Sequence, residues 1–292
     1  MKKTCKVELA GGLGNQLFGV ALGRFIEHKF DFEVEFLRSD MISRNSNHGQ
    51  TLKGLELFGN PVITRPPSFS DRVRMRIAYH GFGKWVNAAH ESCIELGEFQ
   101  PRHGMLIRGY FQTAYPFTYL ASIGKATILQ SDSSQEDSGY SDGTPPSKED
   151  ASIHMRFGDY ELQRGYGILP HHYFESACYE LLSRRPTIKR FLIFTDSAKE
   201  AEKIRKKLAG EFYPKSFDIF DPPGRVSAVT SLKAMAQFPS IIIANSTFSL
   251  WSALFGDAEK MVIYPEPWFI DPGIITPRLP GFWHPCSSGF SD

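Results

Sequence analysis

Several signals are missing from this 292-residue chain, and each absence removes a class of function. An excess of one charge is missing: 33 Lys and Arg stand against 32 Asp and Glu, a net of +1. That balance gives no general argument for nucleic acid. Cysteine is scarce, and its four residues, Cys5, Cys93, Cys178 and Cys286, lie far apart with no C-x-x-C among them. A zinc site and a disulfide framework are therefore both disfavoured, which fits a reducing compartment. No apolar run approaches the ~20 residues that span a bilayer. The start, Met1-Lys-Lys-Thr-Cys-Lys-Val7, lacks the apolar stretch of a signal peptide. The expectation is a cytoplasmic protein, at most peripheral to the inner face of the membrane. Asp-x-Asp, the usual acidic clip for a metal-bound nucleotide diphosphate, is absent as well. A diphosphate leaving group would here have to be met by arginine and helix dipoles.

Aromatic residues are plentiful, with 24 Phe, which suits a large core and sugar-stacking surfaces. The densest chemistry is in Ser152-Ile-His-Met-Arg-Phe-Gly-Asp-Tyr160. This extended run breaks at Gly158 and presents His154, Arg156, Asp159 and Tyr160 together. Arginine meets a phosphate with two parallel hydrogen bonds, and in open α/β sheets ligands collect at the carboxyl ends of strands. An anion or nucleotide-phosphate site is one reading. An Arg156–Asp159 ion pair closing a turn is the other.

From the beginning, Lys6–Ala10 reads as a strand, Gly11-Gly-Leu-Gly-Asn-Gln16 as a turn, and Phe18, Leu22, Phe25 and Ile26 as the buried stripe of a helix. Strand, glycine turn and helix aim backbone N–H groups at a ligand. Leu17 stands where the dinucleotide fingerprint needs its third glycine, and no Lys-Ser/Thr follows for a P-loop. Asp71–Ile77 is basic and half apolar, either a solvated helix face or a stretch that lies on an anionic membrane. Gly109-Tyr-Phe-Gln112 follows the strand-like Met105–Arg108 and puts two aromatics beside an amide, suited to a sugar or to a core. Residues 131–150 hold almost nothing that can enter a core and read as a loop or linker. The expected division is an N-terminal α/β domain over 1–135, a linker or disordered loop over 136–150, and a C-terminal Rossmann-like domain over 151–292.

In that second half, apolar strands (Ile153–Arg156, Arg190–Phe194, Ile241–Ala244, Met261–Tyr264) alternate with helical stripes. This is the pattern of a parallel sheet covered on both faces. Three strands end in polar clusters: His154 to Tyr160, Thr195-Asp196-Ser197, and Asn245-Ser246-Thr247-Phe248-Ser249. Each alone is good capping; together on one rim they favour a nucleotide.

These residues resemble the bacterial branch of the α-1,2-fucosyltransferases. The matching stretches run in order along nearly the whole chain: Gly11–Phe18, Gly109–Gln112, His154-x-Arg-x-Gly-Asp-Tyr160, Gly167-Ile-Leu-Pro170 and Asn245-Ser-Thr-Phe-Ser-x-Trp251. The resemblance implies an α/β fold of two Rossmann-like domains facing across a cleft (GT-B type). The first domain would be on the acceptor side, and the C-terminal one would bind GDP-fucose. It implies transfer of L-fucose from GDP-β-L-fucose with inversion, without a cofactor or required metal, to the 2-OH of a galactose-terminated glycan, in bacterial surface polysaccharide (O-antigen) synthesis. Arg156 would contact the donor diphosphate, with Gly12, Gly14, Asp196, Asn245, Ser246, Thr247, Phe248 and Ser249 completing the binding set. Asn15 would face the same cleft from the first domain. Many members carry a second arginine where this chain has Phe157. The general base stays open among Asp159, His154 and Glu27. A fucosyltransferase of another linkage or acceptor, or an inactive sugar-nucleotide or glycan-binding protein, remains the alternative.

Overall fold

The structure is a computed structural model that describes residues 2–38, 56–57, 60–61, 63–82, 87–90, 100–112, 145–163, 165–220, 227–255, 259–274, 276–277 and 279–290. The chain divides into two compact units, Met1–Ser131 and Asp132–Asp292. Most of the sequence expected to form a linker, 131–144, lies outside the described residues.

The first unit is built on a parallel sheet. Strand β1 (Lys3–Leu9) pairs with β2 (Phe32–Arg38) on one side and with β7 (Met105–Arg108) on the other. The two-residue strands β3 (Glu56–Leu57) and β4 (Asn60–Pro61) pair with each other, apart from it. β5 (Thr64–Arg65) and β6 (Ala88–His90) complete the order β5-β2-β1-β7-β6. Helix α1 (Leu13–Phe30) makes the crossover, burying Phe18, Leu22, Phe25 and Ile26 as their spacing predicts. Glycine where it crosses lets it lie close against the sheet. A Cβ at Gly23 would fall 2.4 Å from the Phe36 ring, and one at Gly19 2.6 Å from Leu9. Helix α2 (Phe69–Ile77) starts in a capping box, Ser68 with Asp71.

The second unit holds a six-stranded sheet of order β10-β9-β8-β11-β12-β13, with every adjacent pair parallel. Its strands are β8 (Asp150–Met155), β9 (Arg190–Thr195), β10 (Ser216–Ile219), β11 (Ser240–Ile242), β12 (Met261–Glu266) and β13 (His284–Ser287). All six residues of β8 are buried, as expected of a central strand covered on both faces. Helices α3 (His171–Arg184), α4 (Ala198–Glu211), α5 (Ala228–Ala236) and α6 (Thr247–Leu254) cover it. β13 adds a strand beyond Met261–Tyr264, which the sequence pattern leaves as the last. α4 runs through Gly210 to Glu211. Lys260 is buried and donates to the carbonyls of Ala236, Ser252 and Phe255, satisfying orphan acceptors at the ends of α5 and α6. Both units are Rossmann-like, and their pairing in one chain is the α/β fold of GT-B type.

Candidate functional site

Strand order locates the chemistry. In the second unit β8, β9 and β10 step outward in one direction, and β11, β12 and β13 step in the other. The reversal falls between β8 and β11, so their carboxyl ends flank the crevice where open α/β sheets bind ligands. In the first unit the same reversal falls between β1 and β7. The glycine turn after β1 and the Gly109–Gln112 stretch after β7 therefore flank the corresponding point of that sheet.

Around the β8–β11 reversal the side chains form one connected set. Arg156 Nη1 donates to Asp196 Oδ2 at 2.9 Å, while Asp196 Oδ1 accepts the Phe157 N–H at 3.0 Å. Asp196 at the end of β9 is thus an ion-pair partner of Arg156. Gly158 makes room for this carboxylate, since a Cβ there would lie 2.5 Å from Asp196 Oδ2. The Arg156 guanidinium also lies 5.7 Å from the centre of the Tyr160 ring. Tyr160 in turn donates its hydroxyl to the Asn245 carbonyl at 2.7 Å, tying the β8 end to the β11 end. Asn245 donates to the carbonyls of Tyr166 and Gly167. Tyr166 stacks on Phe269 at 4.8 Å and meets Tyr160 edge-on, an aromatic wall that no single sequence motif announces.

Asn245 and the start of α6 come next. Ser246 is the N-cap, its hydroxyl accepting from the Phe248 N–H at 3.3 Å. Thr247 and Phe248 are half-buried at the helix start, and Phe248 packs 5.4 Å from the His154 ring. Ser249 is fully buried, and its hydroxyl donates to the Ala244 and Ser246 carbonyls.

His154 is buried inside the sheet end, 4% exposed. Burial, helped by the nearby Arg156 cation, pushes its imidazole down to about 3. The ring is therefore neutral at physiological pH and a feeble base. Among the described residues, His154 Nδ1 and Asn245 Oδ1 are buried without a hydrogen-bond partner. An unmet buried polar group costs about 1–3 kcal/mol, a cost that Ser152 Oγ on β8 and Ser240 Oγ on β11 carry as well. Asp159 lies in the 3-10 turn Gly158–Leu162, and its side chain is outside the described set.

In the first unit, Gly12 is the backbone N-cap of α1, and no side chain fills that role. Gly14 is buried in the first turn. Asn15 accepts from the Gln112 side chain at 3.2 Å, joining the turns after β1 and β7. Gln16 folds back onto the Gly11 carbonyl at 2.9 Å. Gly11 adopts φ +75°, and a Cβ there would meet Asn15 at 2.8 Å and Tyr110 at 3.1 Å. Beside it Phe111 holds φ 51°, a left-handed conformation costly for an aromatic residue. Gln112 is thus presented by a strained turn. Glu27 lies elsewhere on α1, paired with Arg24 at 2.7 Å and accepting the Val34 N–H. Among the described residues, no group of three or more His, Cys, Asp or Glu gathers as a metal site.

No family model matches the chain. Two curated Escherichia coli proteins are similar in sequence. An O-antigen biosynthesis glycosyltransferase, WbnK, is 24% identical over 89% of this chain and 93% of its own. An alpha-1,2-colitosyltransferase is 23% identical over 89% and 91%. Among solved structures, POFUT1 in complex with GDP superposes with a TM-score of 0.52 at 12% identity, covering 90% of this chain and 98% of that one. The fucosyltransferase NodZ from Bradyrhizobium superposes with 0.50 at 14% identity, covering 87% and 94%. At such identities these structures establish a shared fold.

Proposed function

We propose that the protein is an inverting glycosyltransferase that moves L-fucose from GDP-β-L-fucose to the 2-OH of a terminal β-galactoside. It would serve bacterial surface polysaccharide synthesis at the cytoplasmic side. The observation that carries this reading is Arg156 at the end of β8, with the start of α6 across the strand reversal. A guanidinium and helix-terminal amides are the donors that charge building on a departing diphosphate needs. The unpartnered His154 Nδ1 and Asn245 Oδ1, near the ends of β8 and β11, would suit a polar ligand there. Asp196 orients Arg156 as well as joining the binding set. In the first unit, Asn15, held by Gln112, is the proposed functional amide. His154 is buried and neutral and Glu27 is engaged with Arg24, which leaves Asp159 as the candidate base. The WbnK likeness supports a bacterial glycan acceptor. The colitosyltransferase likeness supports a second reading, an activated colitose as donor.

The test is incubation with GDP-fucose and a panel of β-galactosides, in excess EDTA, with linkage read by NMR and an activated colitose as competing donor. An α-1,2-linked fucoside formed in EDTA is the expected product. Preferential colitose transfer selects the second reading. A metal requirement overturns the metal-free chemistry. Donor binding with no transfer or donor hydrolysis makes the chain a sugar-nucleotide binder instead.

A further inference from the structure

Residues 63–82 carry an unusual surface. On α2 the inward side is Asp71, Met75 and Ala78, all buried, at i, i+4 and i+7. The outward side carries Phe69, Val73 and Arg76 at the same spacing, with Arg72 alongside, all exposed. Phe69 is 84% exposed, Tyr79 71% and Phe82 58%, the last two in the π turn Ala78–Phe82 that extends the helix. Ile63, just before it, is exposed too. Ten large apolar side chains are exposed among the described residues, and five of them fall in this one segment. Scattered exposed apolar residues need no explanation, but a concentration of them does.

The charge is equally local. Four arginines stand here against one aspartate, a net of +3, in a chain whose net is +1. Not all of these face outward. Arg65 and Asp71 belong to a cluster with Lys6 and Glu35, and Arg74 donates to the Asn87 and Gly104 carbonyls. Those contacts, with the capping box at Ser68, fix the helix to its unit. The outward face is therefore preformed, with Arg72 and Arg76 set among aromatic and aliphatic side chains. It lies on an element that carries none of the proposed reacting or donor-binding residues.

We propose that this face of α2 docks on an anionic lipid bilayer. Phe69, Val73, Tyr79 and Phe82 would enter the headgroup region while Arg72 and Arg76 meet lipid phosphates. Among the described residues no helix is long and apolar enough to cross a membrane, so the attachment is peripheral.

The experiment is co-sedimentation of the full chain with vesicles of phosphatidylcholine alone or mixed with phosphatidylglycerol, at low and high salt. The wild type should pellet with the mixed vesicles and release as salt rises. The double variant Arg72→Gln, Arg76→Gln should bind about thirtyfold more weakly, from ~1 kcal/mol per arginine at the surface. Phe69→Ser with Val73→Ser should weaken binding to both vesicle types. Thermal melts of both variants should match the wild type, because the changed side chains point away from the core. The idea fails if the wild type stays in the supernatant with mixed vesicles, or if both variants bind as it does. Equal binding to neutral vesicles overturns the choice of an anionic surface. Self-association without lipid, lost in Phe69→Ser with Val73→Ser, assigns the face to a second copy and overturns the proposal too.

Discussion

Replacing Arg156 by lysine separates a phosphate clamp from an ordinary ion pair. In the resting protein its Nη1 lies 2.9 Å from Asp196 Oδ2, and both side chains are about a quarter exposed. Solvent screening limits such a pair to about 1 kcal/mol, and lysine keeps the charge. The loss of the planar contact with the Tyr160 ring, 5.7 Å away, adds roughly 0.5–1 kcal/mol. A melting shift of no more than about 3–6 °C follows for a chain of this size. Transfer should respond quite differently. A diphosphate offers two oxygens that a guanidinium meets in parallel and an ammonium meets as a point. Phe157 is packed into the core, so the residue next to Arg156 supplies no second cation. An interaction strongest as charge builds on the leaving group is worth ~3 kcal/mol, roughly a hundredfold in rate. The assay is kcat and KM for GDP-fucose beside the melting temperature. If Arg156→Lys keeps more than about a third of wild-type kcat/KM, under ~0.7 kcal/mol lost, the residue is a structural partner of Asp196 and not the clamp.

Two further outcomes concern the fold. Burial pushes the Cys5 thiol up to about 12, with Glu27 adding to it, and burial raises Cys178 as well, whereas Cys286 is only half-buried. Iodoacetamide followed by peptide mass spectrometry should find Cys286 alkylated in the native protein and Cys5 and Cys178 only after unfolding; native labelling of Cys178 at the rate of Cys286 would contradict the packing. Burial alone would raise the Asp71 carboxyl, but hydrogen bonds from Lys6 and Ser68 outweigh it and hold it well below the usual range. Its folded value being the lower one, Asp71 stabilises the fold above the unfolded value of about 3.9, and that contribution fades as pH falls below it. Urea midpoints taken from neutral pH down to about pH 3 should therefore drop less steeply for Asp71→Asn than for the wild type, and parallel curves would refute the assignment.

Local pattern carries some of this architecture and not the rest, for a physical reason. β8 and β9 are readable because parallel strands covered on both faces are apolar runs, and α1 because one buried stripe repeats at helical spacing. β13 is not, since His284–Ser287 is short, contains Pro285 and alternates only between half-buried and exposed. Strand order is invisible for another reason: it is fixed by pairings between segments far apart in sequence, such as Ile241 with Ser152. The two strand reversals, and with them the meeting of Asn15 with Gln112, need the folded sheets. The Arg156–Asp196 pair shows the same limit at the scale of one side chain, since nothing local in the sequence joins the two residues. In the sheet Met155 is level with Thr195, so the next residue of each strand, Arg156 and Asp196, leaves the rim side by side. The guanidinium then reaches a carboxylate forty residues away in sequence, and Gly158 is the residue whose missing Cβ admits that carboxylate. His154 follows from the same register. It lies within a strand buried on both faces, so its ring is enclosed and held neutral, while Arg156, one residue past the strand, is partly open to solvent. The Ser152–Tyr160 stretch thus splits at the end of β8 into a buried half that builds the sheet and a rim half that can meet a ligand.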